Sequence, residues 1–126
     1  METQNLWPDF TIETTKSPKT ILKEQAGHLM EKTNNVLSAE VDTSQSKEKI
    51  FHNFYIVAPA INNYRYRVLL LTHEVFFYPL EIIWVEKAVQ YGAKNQDEFL
   101  NILSEIFNAP ETVRVISSLL SQSLAE

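Results

Sequence analysis

The feature that most constrains the fold is a long stretch of branched and aromatic residues that runs from Ile50 to Val85. Turn-forming residues interrupt it at short intervals, which is typical of antiparallel strands joined by hairpins. One connection contains Pro59, which ends a strand, and Asn62-Asn63, which tolerate left-handed backbone geometry. The stretch therefore predicts an antiparallel meander.

Alternation of side chains assigns these residues to the two faces of the sheet. The strand that begins near Ile50 is apolar on both faces, whereas a sheet with one face in water should alternate more cleanly. In the next strand, strict alternation places Arg65, Arg67, Leu69 and Leu71 together, opposite Tyr64, Tyr66, Val68 and Leu70. Two arrangements follow. Either all helices cover one face and a second subunit covers the other, or the helices are divided between the faces.

Helical periodicity flanks this region. Ser17-Pro18 predicts the start of a helix over 17–36, and Asn95 with Glu98 predicts the start of a helical hairpin over 95–124. A first strand is predicted over 36–41, followed by a polar loop over 42–49, and a further strand over 75–85. Residues 86–94 fit either a strand end or a helical turn.

The predicted fold class is thus α+β, with an N-terminal helix, a four-stranded, mostly antiparallel sheet over 36–85 and a C-terminal two-helix hairpin. All 126 residues form one domain on this interpretation, preceded by an arm over 1–16. The arm carries four large apolar residues, which we expect to fold back onto the core. The alternative is an arm that reaches a partner. These residues are Leu6, Trp7, Phe10 and Ile12.

Composition excludes several classes of function. The 11 Lys and Arg residues against 16 Asp and Glu residues give a net charge of -5, which disfavours nucleic-acid binding. The absence of cysteine excludes disulfides, thiolate metal sites and cysteine nucleophiles. With only two glycines, the chain cannot form a P-loop or a dinucleotide-binding turn, and no cofactor is predicted. No apolar run approaches the roughly 18 residues of a membrane span, so a cytoplasmic location is expected.

The three histidines predict no metal site, because none shows the close spacing of metal ligands. His28 lies on the polar side of the first helix, between Glu24 and Glu31. His73 and Glu74 fall between two apolar runs, where we expect exposed polar residues at a turn.

The best candidate site is the segment NNYRYR. Arg65 and Arg67 project from one face of a strand and could hold a carboxylate or phosphate, while Tyr64 and Tyr66 project from the other. The alternative is that the arginines pair with nearby acids such as Glu40 or Glu81. Tyrosine and arginine are also enriched at protein interfaces.

These observations favour a non-enzymatic protein-interaction module of the adaptor, inhibitor or immunity type, acting as a homodimer through its sheet. No catalytic residues are predicted. The alternative function is a small-ligand-binding protein or enzyme, with an anion-binding pocket between sheet and helices that is lined by Tyr64, Arg65, Tyr66, Arg67 and His73. A nucleic-acid-associated regulator is the third and least favoured possibility.

Overall fold

The structure is a computed structural model that describes residues 3–125, so Met1 and Glu2 of the predicted arm, and Glu126, lie outside the described residues. The elements in chain order are α1 (Pro18–Lys32), β1 (Ser38–Ser46), β2 (Lys49–Ala58), β3 (Tyr64–His73), β4 (Leu80–Trp84), β5 (Val89–Ala93), α2 (Gln96–Asn108) and α3 (Pro110–Leu124). A short 3-10 turn, Pro59–Ile61, joins β2 to β3. The sheet is antiparallel throughout, and its spatial order β1-β2-β3-β4-β5 is the chain order. The α+β meander is therefore confirmed.

The sheet has five strands rather than the predicted four. β5 pairs along the whole of β4, from Leu80 with Ala93 to Trp84 with Val89. Its sequence, VQYGA, contains few strand-favouring residues, and Gly92 suggested only a reversal. Pairing with β4 outweighs this weak local preference, and the sheet extends over 38–93 instead of 36–85.

The first hairpin is longer and tighter than predicted. β1 continues to Ser46, and the polar loop expected over 42–49 shrinks to a two-residue turn at Lys47 and Glu48. Both turn residues have positive φ, 50° and 67°, as expected for the turn type that matches the twist of a two-residue hairpin. β1 is an edge strand, and its side chains beyond Val41 are exposed. This part of β1 can therefore be polar, because backbone hydrogen bonds pair it with β2.

Two other predicted boundaries are wrong. The expected strand over 75–85 begins only at Leu80, because Pro79 has no N–H to donate to a neighbouring strand. Val75 and Phe76 lie in the preceding loop and are exposed. The first helix ends at Lys32 instead of residue 36, because Asn34 and Asn35 take positive φ values of 51° and 65°.

All three helices cover the same face of the sheet. α1 packs on the edge strand β1, α2 packs on the opposite edge strand β5, and α3 contacts β2 and the 3-10 turn. One apolar core joins α1 residues such as Leu22 to Phe54 and Ile56 of β2 and to Phe99 of α2. The helices are thus placed as in the first of the two arrangements that the sequence left open, and the other face, the outer face, has no covering helix.

A β-bulge at Val68 changes which residues of β3 point towards the helices. Phe54 pairs with Leu69 and Tyr55 pairs with Arg67, so that Val68 has no partner on β2. Side chains before and after a bulge no longer follow one alternation. As a result Leu69 and Leu71 are buried in the core, whereas Arg65 lies on the outer face. The prediction that Arg65, Arg67, Leu69 and Leu71 share a face is wrong.

The N-terminal arm, residues 3–16, forms neither helix nor strand. Its four large apolar residues do not dock on the core as expected, because each of them is largely exposed to solvent: Leu6, Trp7, Phe10 and Ile12. Of the helices within residues 3–125, none combines the length and the apolar character that crossing a membrane requires.

Candidate functional site

The structure does not bring the predicted site residues together. Tyr64 and Tyr66 pair with Ala58 and Ile56 and therefore point to the helix-covered side of the sheet. Arg65 and Arg67 pair with Val57 and Tyr55 and point to the outer face. His73 is on the helix side at the far end of β3. The five residues therefore lie in three separate places and do not form the expected pocket.

On the outer face, Arg65 is held by its neighbours. Its Nε lies 3.2 Å from Oε2 of Glu40, and its Nη2 lies 3.8 Å from Oδ2 of Asp42. Its guanidinium also sits 4.0 Å from the centre of the Tyr55 ring, in a cation–π contact. The pairing of arginine with a local acid that the sequence suggested is thus found for Arg65 and Glu40.

Arg67 belongs to the same polar network. Its Nη1 donates to Oδ1 of Asn53 at 3.3 Å, and Nδ2 of Asn53 donates to Oδ1 of Asp42 at 3.0 Å. These side chains are partly exposed, so each contact adds at most about 1 kcal/mol of stability. Each of the two arginines therefore has at least one polar partner within the chain.

Tyr64 and Tyr66 line a cleft of about 500 Å³ between β3 and α3. The Tyr66 hydroxyl donates to Oε2 of Glu86 at 2.6 Å. Burial, together with this carboxylate, raises the pKa of Tyr66 to about 12. Arg114 of α3 faces the same cleft and adds a positive charge.

His73 is buried, not exposed at a turn as predicted, and it contacts a second buried histidine. His52 and His73 are 3% and 6% exposed, and their Nε2 atoms are 3.1 Å apart. Nδ1 of His52 lies 2.9 Å from Oγ1 of Thr43, and Nδ1 of His73 lies 2.5 Å from the carbonyl oxygen of Glu74. Each buried ring nitrogen therefore has a hydrogen-bonding partner.

The hydrogen bonds of this pair fix one of its protons. The Glu74 carbonyl can only accept, so Nδ1 of His73 donates to it. One of the two Nε2 atoms donates to the other, and the Thr43 hydroxyl is the partner of Nδ1 of His52. Burial, the adjacent His73 and Lys19 lower the pKa of His52 from 6.5 to about 4, which agrees with a neutral ring.

Sequence reasoning missed this pair because the two histidines are 21 residues apart. A signal was present in the alternation of β2, where His52 falls on the same face as the buried Phe54 and Ile56. The bulge at Val68 hid the corresponding signal for His73, because it changes the face on which the second half of β3 projects.

A groove of about 500 Å³ lies between α1 and the α2–α3 hairpin, above strand β2. It forms because α1 and α2 lie over opposite edges of the sheet. Its apolar surface combines one residue of α1, two of β2, three of α2 and one of α3: Leu29, Phe54, Ile56, Leu100, Leu103, Phe107 and Ile116. The rings of Phe54 and Phe107 approach to 5.5 Å between centroids. We call this feature the helix groove.

The polar residues of the helix groove are not acidic. They are Gln25, His28 and Lys32 of α1, Ser104 and Asn108 of α2, and Thr112 of α3. His28 lies on the exposed, polar side of α1, as predicted, and the neighbouring Lys32 gives this side of the groove a positive charge. An apolar surface with a few polar groups is characteristic of ligand and peptide sites. No pattern in the sequence indicates the groove, because it depends on how far apart the helices lie.

Among residues 3–125 there is no group of three or more His, Asp or Glu side chains placed to hold a metal ion. Comparisons of the chain with protein-family models, with curated proteins and with solved structures find no match.

Proposed function

We propose that this protein is a non-enzymatic interaction module of the adaptor, inhibitor or immunity type, and that the helix groove receives an apolar segment of its protein partner. The observation that carries the proposal is the apolar surface left between α1 and the α2–α3 hairpin, reaching Phe54 and Ile56 on the sheet. Grooves between helices are a recurring way of binding short amphipathic segments.

Charge indicates what kind of segment would fit. The chain carries a net charge of -5, yet no carboxylate lines the helix groove among residues 3–125. His28 and Lys32 are the lining residues that can carry positive charge. A partner segment with aromatic or aliphatic anchors and an adjacent acidic residue matches this distribution.

The same lining supports binding rather than chemistry. General acid–base catalysis needs a titratable group held in a fixed relation to the reacting atoms, usually by a further hydrogen bond. His28 is exposed on α1. The firmly held histidines, His52 and His73, are already bonded to Thr43, to each other and to Glu74.

Selection of peptides from a random displayed library would test the proposal directly. Peptides that bind the wild-type protein should combine large apolar residues with an acidic one. They should lose binding to Leu100→Asp, which places a carboxylate in the groove. They should still bind Val113→Asp, which changes a similarly exposed helix residue outside the groove.

The test position and its control are well matched, because Leu100 is 38% exposed and Val113 is 49% exposed. Neither substitution therefore buries a charge in the core. Recovery of peptides that bind all three proteins equally would place the binding surface elsewhere. A selection that yields no binding peptide would count against an interaction role for the groove.

A second candidate function is the binding of a small anionic ligand in the cleft of Tyr64 and Tyr66. The observation in its favour is Arg114, which lines this cleft together with Tyr66 and the acids Glu86 and Glu111. A ligand that binds the native state raises its melting temperature. Anionic metabolites should therefore stabilise the wild-type protein and not Arg114→Ala; equal responses of the two proteins would reject the idea. Nucleic-acid regulation remains the least favoured on charge.

A further inference from the structure

The N-terminal arm exposes four large apolar residues within seven positions of the chain: Leu6, Trp7, Phe10 and Ile12. Leu6, Trp7 and Phe10 are 82%, 76% and 73% exposed, and the centroids of the Trp7 and Phe10 rings are 6.0 Å apart. Large exposed apolar clusters of this kind commonly mark interaction surfaces. Lys16, the last residue of the arm, is fixed to α1 by an ion pair with Glu24 at 2.8 Å.

The arm has the chemistry that the helix groove requires. Trp7 and Phe10 provide aromatic anchors, and Asp9, which lies between them, provides the acidic group. Glu13 adds a second negative charge on the side towards α1. The groove offers an apolar surface, the basic residues His28 and Lys32, and no lining carboxylate. Its volume of about 500 Å³ is within the usual range for sites that take a drug-sized group, roughly 300–1,000 Å³.

We propose that the arm of a second copy of this chain occupies the helix groove, and that the exchange is reciprocal, giving a two-fold symmetric homodimer. This inference rests on the proposed function of the groove and names its occupant. Each chain carries one arm and one groove. In a dimer with a two-fold axis, each arm can therefore occupy the groove of the other chain, and the assembly is closed. Within a single chain the arm lies in solvent and not in its own groove, which favours the second copy.

The outer face of the sheet is a weaker candidate for the same contact. Its most prominent charges are already paired with each other, Arg65 with Glu40 and Asp42. The arm and the groove, in contrast, carry complementary apolar and charged groups. Within one chain the arm is not among the residues that line the groove. The homodimer expected from the sequence is thus assigned a different surface.

The test is the solution mass of full-length variants by light scattering over a concentration series. Trp7→Ala/Phe10→Ala removes the anchors, and Leu100→Asp alters the groove. Each should weaken dimerisation by roughly tenfold or more, as expected when buried aromatic anchors are lost or a charge is placed against them. Phe76→Ala, at another exposed aromatic residue (78%), and Val113→Asp should dimerise as the wild type does.

Mixing the two interface variants separates exchange between chains from binding within one chain. The anchor-deficient chain retains its groove and the groove-deficient chain retains its arm, so a mixture should recover a heterodimer held by one arm. A wild-type monomer, or a dimer that survives both sets of substitutions, would overturn the proposal. Peptides selected on the groove of a monomeric wild-type protein would show that the proposed function stands while this inference fails.

Discussion

At the level of single residues, the most consequential contact is the buried pair of His52 and His73. In the folded chain the pKa of His52 is about 4, whereas in the unfolded chain it returns to about 6.5. Between these values the unfolded chain binds a proton that the folded chain does not, so stability falls as the pH falls from 6.5 towards 4. The full effect is at most about 3–4 kcal/mol, because each pKa unit corresponds to about 1.4 kcal/mol.

This pH dependence can be measured by urea unfolding between pH 7 and pH 5. His52→Gln keeps a polar side chain that does not titrate, and it should flatten the fall in unfolding free energy over this range. His28→Gln, at an exposed histidine, is the matched control and should keep the wild-type slope. Equal slopes for all three proteins would show that His52 does not control stability in this range.

Tyr78 supplies a second residue-level prediction. Its hydroxyl is buried without a hydrogen-bond partner among the described residues, and burial raises its pKa. A buried hydroxyl without a partner is destabilising, so Tyr78→Phe should raise the free energy of unfolding by about 1 kcal/mol. Tyr66→Phe, which removes the bond to Glu86, should lower it by a similar amount. Chemical denaturation of both variants checks the prediction, and a loss of stability in Tyr78→Phe would contradict it.

At the level of elements, the turn between β1 and β2 is built from unsuitable residues. Lys47 and Glu48 both have positive φ, which non-glycine residues adopt only at an energetic cost. The pair Asn-Gly suits this turn far better. Lys47→Asn/Glu48→Gly should therefore raise the free energy of unfolding by about 1 kcal/mol or more.

A glycine control distinguishes this turn effect from a general effect of mutation. Gln45→Gly places glycine two residues before the turn, inside β1, where added backbone freedom should destabilise the protein. If the turn variant loses stability as Gln45→Gly does, then the positive φ values do not limit the hairpin.

The elements also show which parts of the fold could be predicted. Asn62 and Asn63 have φ values of 54° and 57°, as expected from residues that tolerate left-handed geometry, and Ser17 caps α1 by accepting a bond from the Thr20 N–H. Lys47 and Glu48 carry no such signal, so the hairpin they form was mistaken for a loop. β5 was missed because its strand character comes from pairing with β4 and not from its own residues.

The candidate site was harder to predict than the fold. The bulge at Val68 separated Arg65 from His73, and nothing in an alternating pattern marks where one extra residue interrupts it. The helix groove depends on the spacing of α1 and α2 over the sheet, which is a tertiary property. Of these features, only the unusual apolar content of the arm was visible in the sequence. The prediction that the arm packs on the core was wrong.

At the level of the whole molecule, the position of the dimer interface gives a further prediction. Ile83 is 39% exposed on the outer face of the sheet, opposite the helices. If the dimer forms through the arm and groove, Ile83→Lys should leave the solution mass unchanged. The sheet-mediated dimer expected from the sequence would instead be disrupted by this charge. Light scattering at the concentrations used for the wild type distinguishes the two outcomes.

The meander has a consequence for how the chain folds. Every strand pairs with its immediate neighbour in the sequence, so the sheet needs no long loop to close before its hairpins can form. Low sequence separation between contacting residues favours rapid folding. The outermost strands are also the first and last along the chain, so β1 or β5 could be lengthened, shortened or replaced during evolution without interrupting the pairing of the strands between them.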